Sequence, residues 1–154
     1  MGIEIERKFL VDTAKLPPLS NGKKLLQGYL VPHAPSIRIR TSNDEAFLTI
    51  KGDSKGGITR SEFEYSIPYA DALELLKQCK GFLITKTRYE IEHHGHLWEL
   101  DIFEEENKGL IVAEIELDDE NEEFVVPEWA TTEVSSDPRY TNASLSQLPY
   151  SEWK

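Results

Sequence analysis

Along most of the chain apolar and polar residues alternate one by one, the two-residue period of a strand with unlike faces. Such runs fall at Ile3–Val11, Lys24–Pro32, Ser36–Thr41, Ala46–Lys51, Thr59–Ile67, Leu83–His93, Leu97–Phe103 and Leu110–Leu117. Turn-forming residues separate them: Pro17-Pro18, Asn43-Asp44, the stretch Gly52–Gly57, Gly95 and Lys108-Gly109. Helical spacing replaces alternation at Asp71–Lys80, where Ala72, Leu73, Leu75, Leu76 and Cys79 form one stripe, Asp71 is placed to cap and Gly81 follows the end. A weaker helix is predicted at Asp119–Val125, stopping before Pro127, and a short one at Thr141–Gln147 after Asp137-Pro138. Eight strands with few helices predict an α+β protein: one closed antiparallel eight-stranded β-barrel with flanking helices, a single domain over residues 1–154.

Composition narrows the function classes. The 154 residues carry 17 Lys and Arg against 28 Asp and Glu, a net charge of −11, which excludes a general nucleic-acid or anionic-membrane binder. One cysteine, Cys79, leaves no disulfide framework and no cysteine-based zinc site. The opening residues are charged where a signal peptide needs an apolar run, and no stretch approaches the roughly 20 apolar residues of a membrane helix. These features predict a soluble, cytoplasmic protein.

The polar faces are the unusual part. Glu4, Glu6 and Lys8 alternate with Ile3, Ile5 and Phe9; Arg38 and Arg40 with Ile37 and Ile39; Arg60, Glu62 and Glu64 with Phe63, Tyr65 and Ile67. Lys86, Arg88, Glu90 and Glu92 alternate with Tyr89 and Ile91, Glu99 and Asp101 with Trp98, Leu100 and Ile102, and Glu114 and Glu116 with Ile115 and Leu117; Lys51 lies opposite Ile50. A charged strand face is ordinarily a solvent face. Here many strands share the feature and the signs are segregated, with Arg38, Arg40, Lys51 and Arg60 in one stretch and Glu99, Asp101, Glu114 and Glu116 in another. Closing the sheet turns that face inward, where an eight-stranded barrel holds a small ligand. Carboxylates and guanidinium groups gathered there are best reconciled by a divalent metal on the former and a polyanion on the latter.

The motif Glu4-Ile5-Glu6-Arg7-Lys8 resembles the signature of the CYTH superfamily, the triphosphate tunnel metalloenzymes, and related patterns recur in order. They are Arg38-x-Arg40, Lys51, Arg60-x-Glu62-x-Glu64, Lys86-x-Arg88, Asp101, Glu114-x-Glu116 and the closing Arg139-Tyr140-x-Asn142-x-x-Leu145. The length, the sequence Gln27-Gly28-Tyr29-Leu30 and the segment Lys86–Tyr89, with Thr85 in place of the pattern's Glu, look most like the short bacterial inorganic triphosphatases of that superfamily. The resemblance implies metal-dependent cleavage of a phosphoanhydride bond, tripolyphosphate giving phosphate and pyrophosphate, with Mg²⁺ or Mn²⁺ as cofactor. It implies Glu4, Glu6, Asp101, Glu114 and Glu116 as metal ligands, and Lys8, Arg38, Arg40, Lys51, Arg60, Lys86 and Arg88 as phosphate-binding residues. Glu4, Glu6, Lys8, Lys86 and Arg88 form the expected catalytic set, with Glu62, Glu64 and Tyr29 in support. The partner is then a small polyanionic triphosphate, neither nucleic acid nor membrane, and assembly as a homodimer is left open. Two other chemistries remain in view: adenylyl cyclisation or hydrolysis of a nucleoside or thiamine triphosphate in the same tunnel, and non-catalytic polyphosphate or nucleotide binding.

Other motifs read as structure. His93-His94-Gly95-His96 is a turn with exposed imidazoles, and Gly52–Gly57 lacks the order of a P-loop. Cys79 packs a helix, Asn142-Ala143-Ser144 matches a glycosylation sequon by chance, and the acidic run Asp118–Glu123 is a solvated helix start.

Overall fold

Alternation becomes strand wherever the sequence shows it: the charged faces turn inward and the apolar faces outward, most of them covered, although Phe63 and Tyr65 stay exposed. The structure, a computed structural model, describes residues 2–33, 35–53 and 57–153. Its strands are β1 (Ile3–Val11), β2 (Lys23–Val31), β3 (Ser36–Ser42), β4 (Glu45–Lys51), β5 (Thr59–Ser66), β6 (Lys80–His93), β7 (His96–Phe103), β8 (Ile111–Glu116) and β9 (Ala130–Glu133). The helices are α1 (Tyr69–Leu76) and α2 (Asn142–Gln147). The strand order is β5-β4-β3-β2-β6-β7-β8-β1-β9, and a further β5–β1 pairing closes β1 to β8 into an antiparallel eight-stranded barrel. Closure is made by Ile3, Glu4 and Ile5 against Ser61, Arg60 and Thr59. Farther along the same edge of β1, Phe9 and Val11 pair with β9 instead, so β1 passes from one neighbour to another near Lys8. There Lys8 N–H donates to Ser135 Oγ at 2.9 Å and Val134 N–H to Lys8 O at 2.8 Å.

Apolar residues pack in three places. Outside the wall, Phe9, Trp98, Leu100, Ala113, Ile115, Leu117, Trp129 and Ala130 make the main core, with Trp98 edge-on to Phe9, Phe124 and Trp129. On another flank α1 buries Ala72 and Leu76 against Ile39 and Ala46. The third cluster lies within the barrel. Two residues along from Lys8, Lys86, Asp101 and Glu114, the inward faces turn apolar at Leu10, Ile84, Phe103 and Val112, and Leu145 of α2 is buried among them. One end of the barrel is therefore an apolar floor, which leaves the charged residues in the remainder.

Glycine decides one junction. Gly81 has φ +75°, and a Cβ there would collide with Ser146 O. It lies in an irregular stretch of β6, where Gln27 pairs with Ile84 but Tyr29 with Lys80, and this lets α2 dock against the strand. Thr141 caps α2, its hydroxyl accepting from Ser144 N–H.

Several expectations are corrected. The helix expected at Asp119–Val125 does not form: the segment closes a single turn, Glu122 N–H donating to Asp119 O at 3.1 Å, and then runs on without helical bonds, with Phe124 packed edge-on to Phe9 and Trp98. Strand β9 was not anticipated. The first helix is α1, shorter than Asp71–Lys80 and begun at Pro68 without a side-chain cap, Asp71 lying in its first turn. Cys79 lies past its end, packed beside the α1 cluster with Sγ donating to Leu75 O. The His93–His96 stretch is the β6–β7 hairpin, but His96 is half-buried, with Nε2 2.7 Å from Glu122 Oε2. Of the Gly52–Gly57 loop, residues 54–56 lie outside the described residues. No described helix is long and apolar enough to cross a membrane.

Candidate active site

Inside the barrel is a cavity of about 170 Å³ walled almost wholly by charged side chains. β1 contributes Glu4, Glu6 and Lys8, β3 contributes Ser36, Arg38 and Arg40, and β4 contributes Lys51. β5 supplies Arg60, Glu62 and Glu64, β6 Lys86 and Arg88, β7 Glu99, and β8 Glu114 and Glu116. Tyr29 of β2 and the segment Thr141–Asn142–Ala143 complete it. The inward period-two faces of separate strands are thus brought together as closure of the sheet requires. A smaller cavity of about 140 Å³, between the start of β5 and the segment after β9, shares Glu6, Lys8, Arg60 and Thr141 with the first.

The charges fall into linked groups. Lys51 Nζ lies 3.0 and 3.2 Å from the two oxygens of Glu4 and 3.5 Å from Glu62 Oε2, and Arg60 Nε is 3.8 Å from Glu4. Across β3 to β5, Glu64 Oε1 faces Arg40 at 3.5 Å, Arg38 at 3.7 Å and the Thr49 hydroxyl at 3.0 Å. Asp101 takes Arg88 through Nε and Nη2 at 2.7 and 2.9 Å and Lys86 Nζ at 2.8 Å. Arg88 also reaches Glu114 and Glu99, each at 3.3 Å. Lys8 Nζ lies 3.6 Å from Glu114 and donates to Tyr140 O at 2.9 Å, while Lys86 Nζ donates to Asn142 Oδ1 at 3.1 Å.

Burial and neighbours set the protonation of these groups. Burial works against the charge on Glu4, but Lys51 outweighs it and holds the carboxyl below its ordinary range. Glu114 goes further down, because Lys8, Arg88 and Lys86 together overcome its burial. Glu6 goes the other way: burial, with Glu114 and Glu4 beside it, pushes its carboxyl well above the usual range. Glu116 is raised by burial and then by Glu4, Glu62 and Glu99. Burial lowers Lys86 to about 8 and, with Arg38 and Arg88 adding to it, Arg40 to about 10. Arg88 is held firmly charged, since Asp101 outweighs the cost of its burial.

Glu6 and Glu116 are direct cross-strand partners, and neither has an ion-pair partner among the described residues. Burial raises both carboxyls, with Glu114 and Glu4 adding to it at Glu6 and Glu4, Glu62 and Glu99 adding to it at Glu116. Oxygen donors with uncompensated charge suit a hard divalent cation. Among the described residues no three His, Cys, Asp or Glu side chains already form a group able to hold an ion, so the donor set calls for further oxygens from phosphate or water.

Every site residue predicted from the sequence lines this cavity except Asp101. Asp101 is fully buried beneath it, with both oxygens facing Arg88 and Lys86. Glu62 and Glu64 stand against Lys51 and the paired arginines, respectively. Glu99, Ser36, Thr141 and Asn142 line the cavity without having been assigned a role. Alternation already placed Glu99 on the inward face, and Asn142 belongs to the closing motif. What pairs Asn142 with Lys86, 56 residues away, is visible only in the fold.

The chain is similar to known proteins over nearly its whole length. The chain is 45% identical to an inorganic triphosphatase of Acetivibrio thermocellus, with 100% of this chain and 99% of that protein covered. It is 38% identical to an inorganic triphosphatase of Nitrosomonas europaea, over 93% of this chain and 96% of that one. A crystal structure of an inorganic triphosphatase superposes with a TM-score of 0.67 at 34% identity, covering 93% of each chain. The model of the CYTH domain matches residues 2–149, and with the closed barrel and its charged interior this establishes that the chain belongs to the CYTH family.

Proposed function

We propose that this protein hydrolyses inorganic tripolyphosphate to phosphate and pyrophosphate within the barrel, with a divalent cation, Mg²⁺ or Mn²⁺, held by Glu6 and Glu116 and assisted by Glu4 and Glu114. The observation that carries the reading is the cavity itself: a ring of cations faces an uncompensated carboxylate pair in a space of about 170 Å³. That is smaller than the roughly 300–1,000 Å³ typical of organic-ligand pockets. Tyr29 is the one aromatic side chain lining it among the described residues. Tripolyphosphate needs no aromatic seat, since it carries charge along its whole length.

Phosphoryl transfer depends mainly on positioning and charge neutralisation. Arg38, Arg40, Lys51 and Arg60 on β3 to β5 face Lys86 and Arg88 on β6, so a linear anion is gripped from several strands. Asp101 fixes the Lys86–Arg88 pair, and Glu64 and Glu62 hold the opposite cations until phosphate oxygens replace them. Asn142 and the Tyr140 carbonyl orient Lys86 and Lys8 from the floor. A cation bound by the glutamates supplies neutralisation of phosphate oxygens and a more acidic water nucleophile. The names of the relatives support the same substrate.

The test is a panel of tripolyphosphate, ATP and thiamine triphosphate assayed for phosphate, pyrophosphate and cyclic AMP. Tripolyphosphate should give the highest kcat/KM. Cyclic AMP from ATP at a rate equal to or above tripolyphosphate hydrolysis would overturn the substrate assignment.

A further inference from the structure

Gln27 is fully enclosed, and neither its side-chain oxygen nor its nitrogen has a hydrogen-bond partner among the described residues. Buried amides are nearly always paired, and an apolar side chain of similar shape would fill the same space without that loss. Strand register gives Gln27 its neighbours. It lies directly opposite Arg40 on β3 and Ile84 on β6, and directly opposed residues share a face. Gln27 thus stands on the inward face beside Arg40, just beneath the cavity surface, without lining it.

Arg40 carries the matching defect. Its Nε is buried and without a partner among the described residues. Its guanidinium rests 5.7 Å from the Phe47 ring centre and, among the described residues, makes only a long 3.5 Å contact, through Nη2, with Glu64 on β5. An unmatched acceptor on β2 and an unmatched donor on β3 therefore stand side by side.

We propose that Gln27 is a positioning residue for Arg40: when the guanidinium leaves Glu64 for a phosphate oxygen of the bound triphosphate, Gln27 Oε1 accepts from Arg40 Nε–H and leaves both Nη groups for the anion. A guanidinium is a rigid planar fork, so fixing Nε fixes the direction of the other donors. The proposal rests on the triphosphatase reading only for the identity of the anion.

A double-mutant cycle with Gln27→Met and Arg40→Ala tests it. Met is unbranched and of similar size, so Gln27→Met should melt at or above the wild-type temperature. It should nevertheless lose at least tenfold in kcat/KM for tripolyphosphate, mainly through KM. In the Arg40→Ala background the same change should alter kcat/KM less than twofold. Wild-type kinetics for Gln27→Met, or losses that multiply, would overturn the proposal. Should Gln27→Met fail to fold, Gln27→Glu keeps the acceptor and must stay within threefold of wild type; a tenfold loss there overturns it. If the wild-type protein cleaves no tripolyphosphate, the triphosphatase reading falls, and the cycle is read instead by calorimetric binding of tripolyphosphate. Binding that Gln27→Met leaves unchanged, or no binding by the wild type, then overturns the role of Gln27 as well.

Discussion

Glu6 and Asp101 are both carboxylates on inward faces, yet their surroundings give them opposite properties. Asp101 is neutralised twice, by Lys86 and Arg88, whereas Glu6 has no ion-pair partner among the described residues and burial, with Glu114 and Glu4 beside it, pushes its carboxyl well above the usual range. Glu6→Gln should therefore raise the metal concentration needed for half-maximal activity and lower kcat while leaving the melting temperature without metal unchanged or higher. Asp101→Asn should do the reverse, because breaking a buried ion pair costs about 3–5 kcal/mol. Melting curves with and without Mg²⁺ separate the two: the metal-induced rise should persist in whatever Asp101→Asn protein folds and disappear in Glu6→Gln. A lost metal response in Asp101→Asn would return that residue to the metal site.

The raised pKa of Glu6 also has a sign. The folded protein keeps a proton there that the unfolded chain has lost, so the metal-free barrel loses stability from this group as pH climbs from 4.5 through the raised value. Metal binding must expel that proton, so affinity should increase with pH across the same window. Calorimetry at about pH 5.5 and about pH 7.5 should show tighter binding at the higher value; equal affinities would refute the assignment. On the cationic side, Arg40→Ala and Lys86→Ala each remove a charge-assisted phosphate contact worth roughly 1.5–3 kcal/mol, so each should lower kcat/KM more than tenfold. Normal kinetics in both folded variants would mean that these side chains do not hold phosphate.

At the scale of elements, the strands were legible because alternation is a local signal that survives closure into a barrel. The β1 limits, Ile3–Val11, are the same in sequence and structure. Strand β9 was not legible: its four residues, Ala130–Glu133, pair only at the part of β1 that β5 leaves free, and nothing local announces that vacancy. The acidic start and apolar end of Asp119–Val125 suggest a helix, but only one turn closes there, because Phe124 is drawn onto Phe9 and Trp98. The inward face of each charged strand could also be read, but its depth could not: Glu99 and Asp101 are two residues apart on β7, and only the second lies beneath the cavity surface. The contact between α2 and β6 shows how much rests on one position. Gly81→Ala would strain a positive φ and press its Cβ on Ser146 O, so it should cost more than about 1 kcal/mol by urea denaturation. It should also weaken catalysis, since α2 begins at Asn142, which holds Lys86. An alanine variant as stable as wild type would show that α2 can shift without cost.

The molecule as a whole separates what holds the barrel closed from what makes it reactive. Its continuity comes from the ladder that runs around β1 to β8 and from apolar clusters outside the wall and at the floor. The charged cavity contributes a different balance: Lys51, Lys8, Lys86 and the arginines offset most inward carboxylates, but the Glu6–Glu116 pair is left over within a chain whose net charge is already −11. A cation bound to that pair relieves a local repulsion without supplying a structural link between strands that are already hydrogen-bonded to each other. Chelation should consequently abolish triphosphate cleavage while the β-sheet circular dichroism persists. Added Mg²⁺ or Mn²⁺ should restore activity and raise the melting temperature by mass action on the folded state. Unfolding on chelation would make the metal a structural tie, and full activity in rigorously metal-free protein would show that Glu6 and Glu116 face each other for some purpose other than binding a cation.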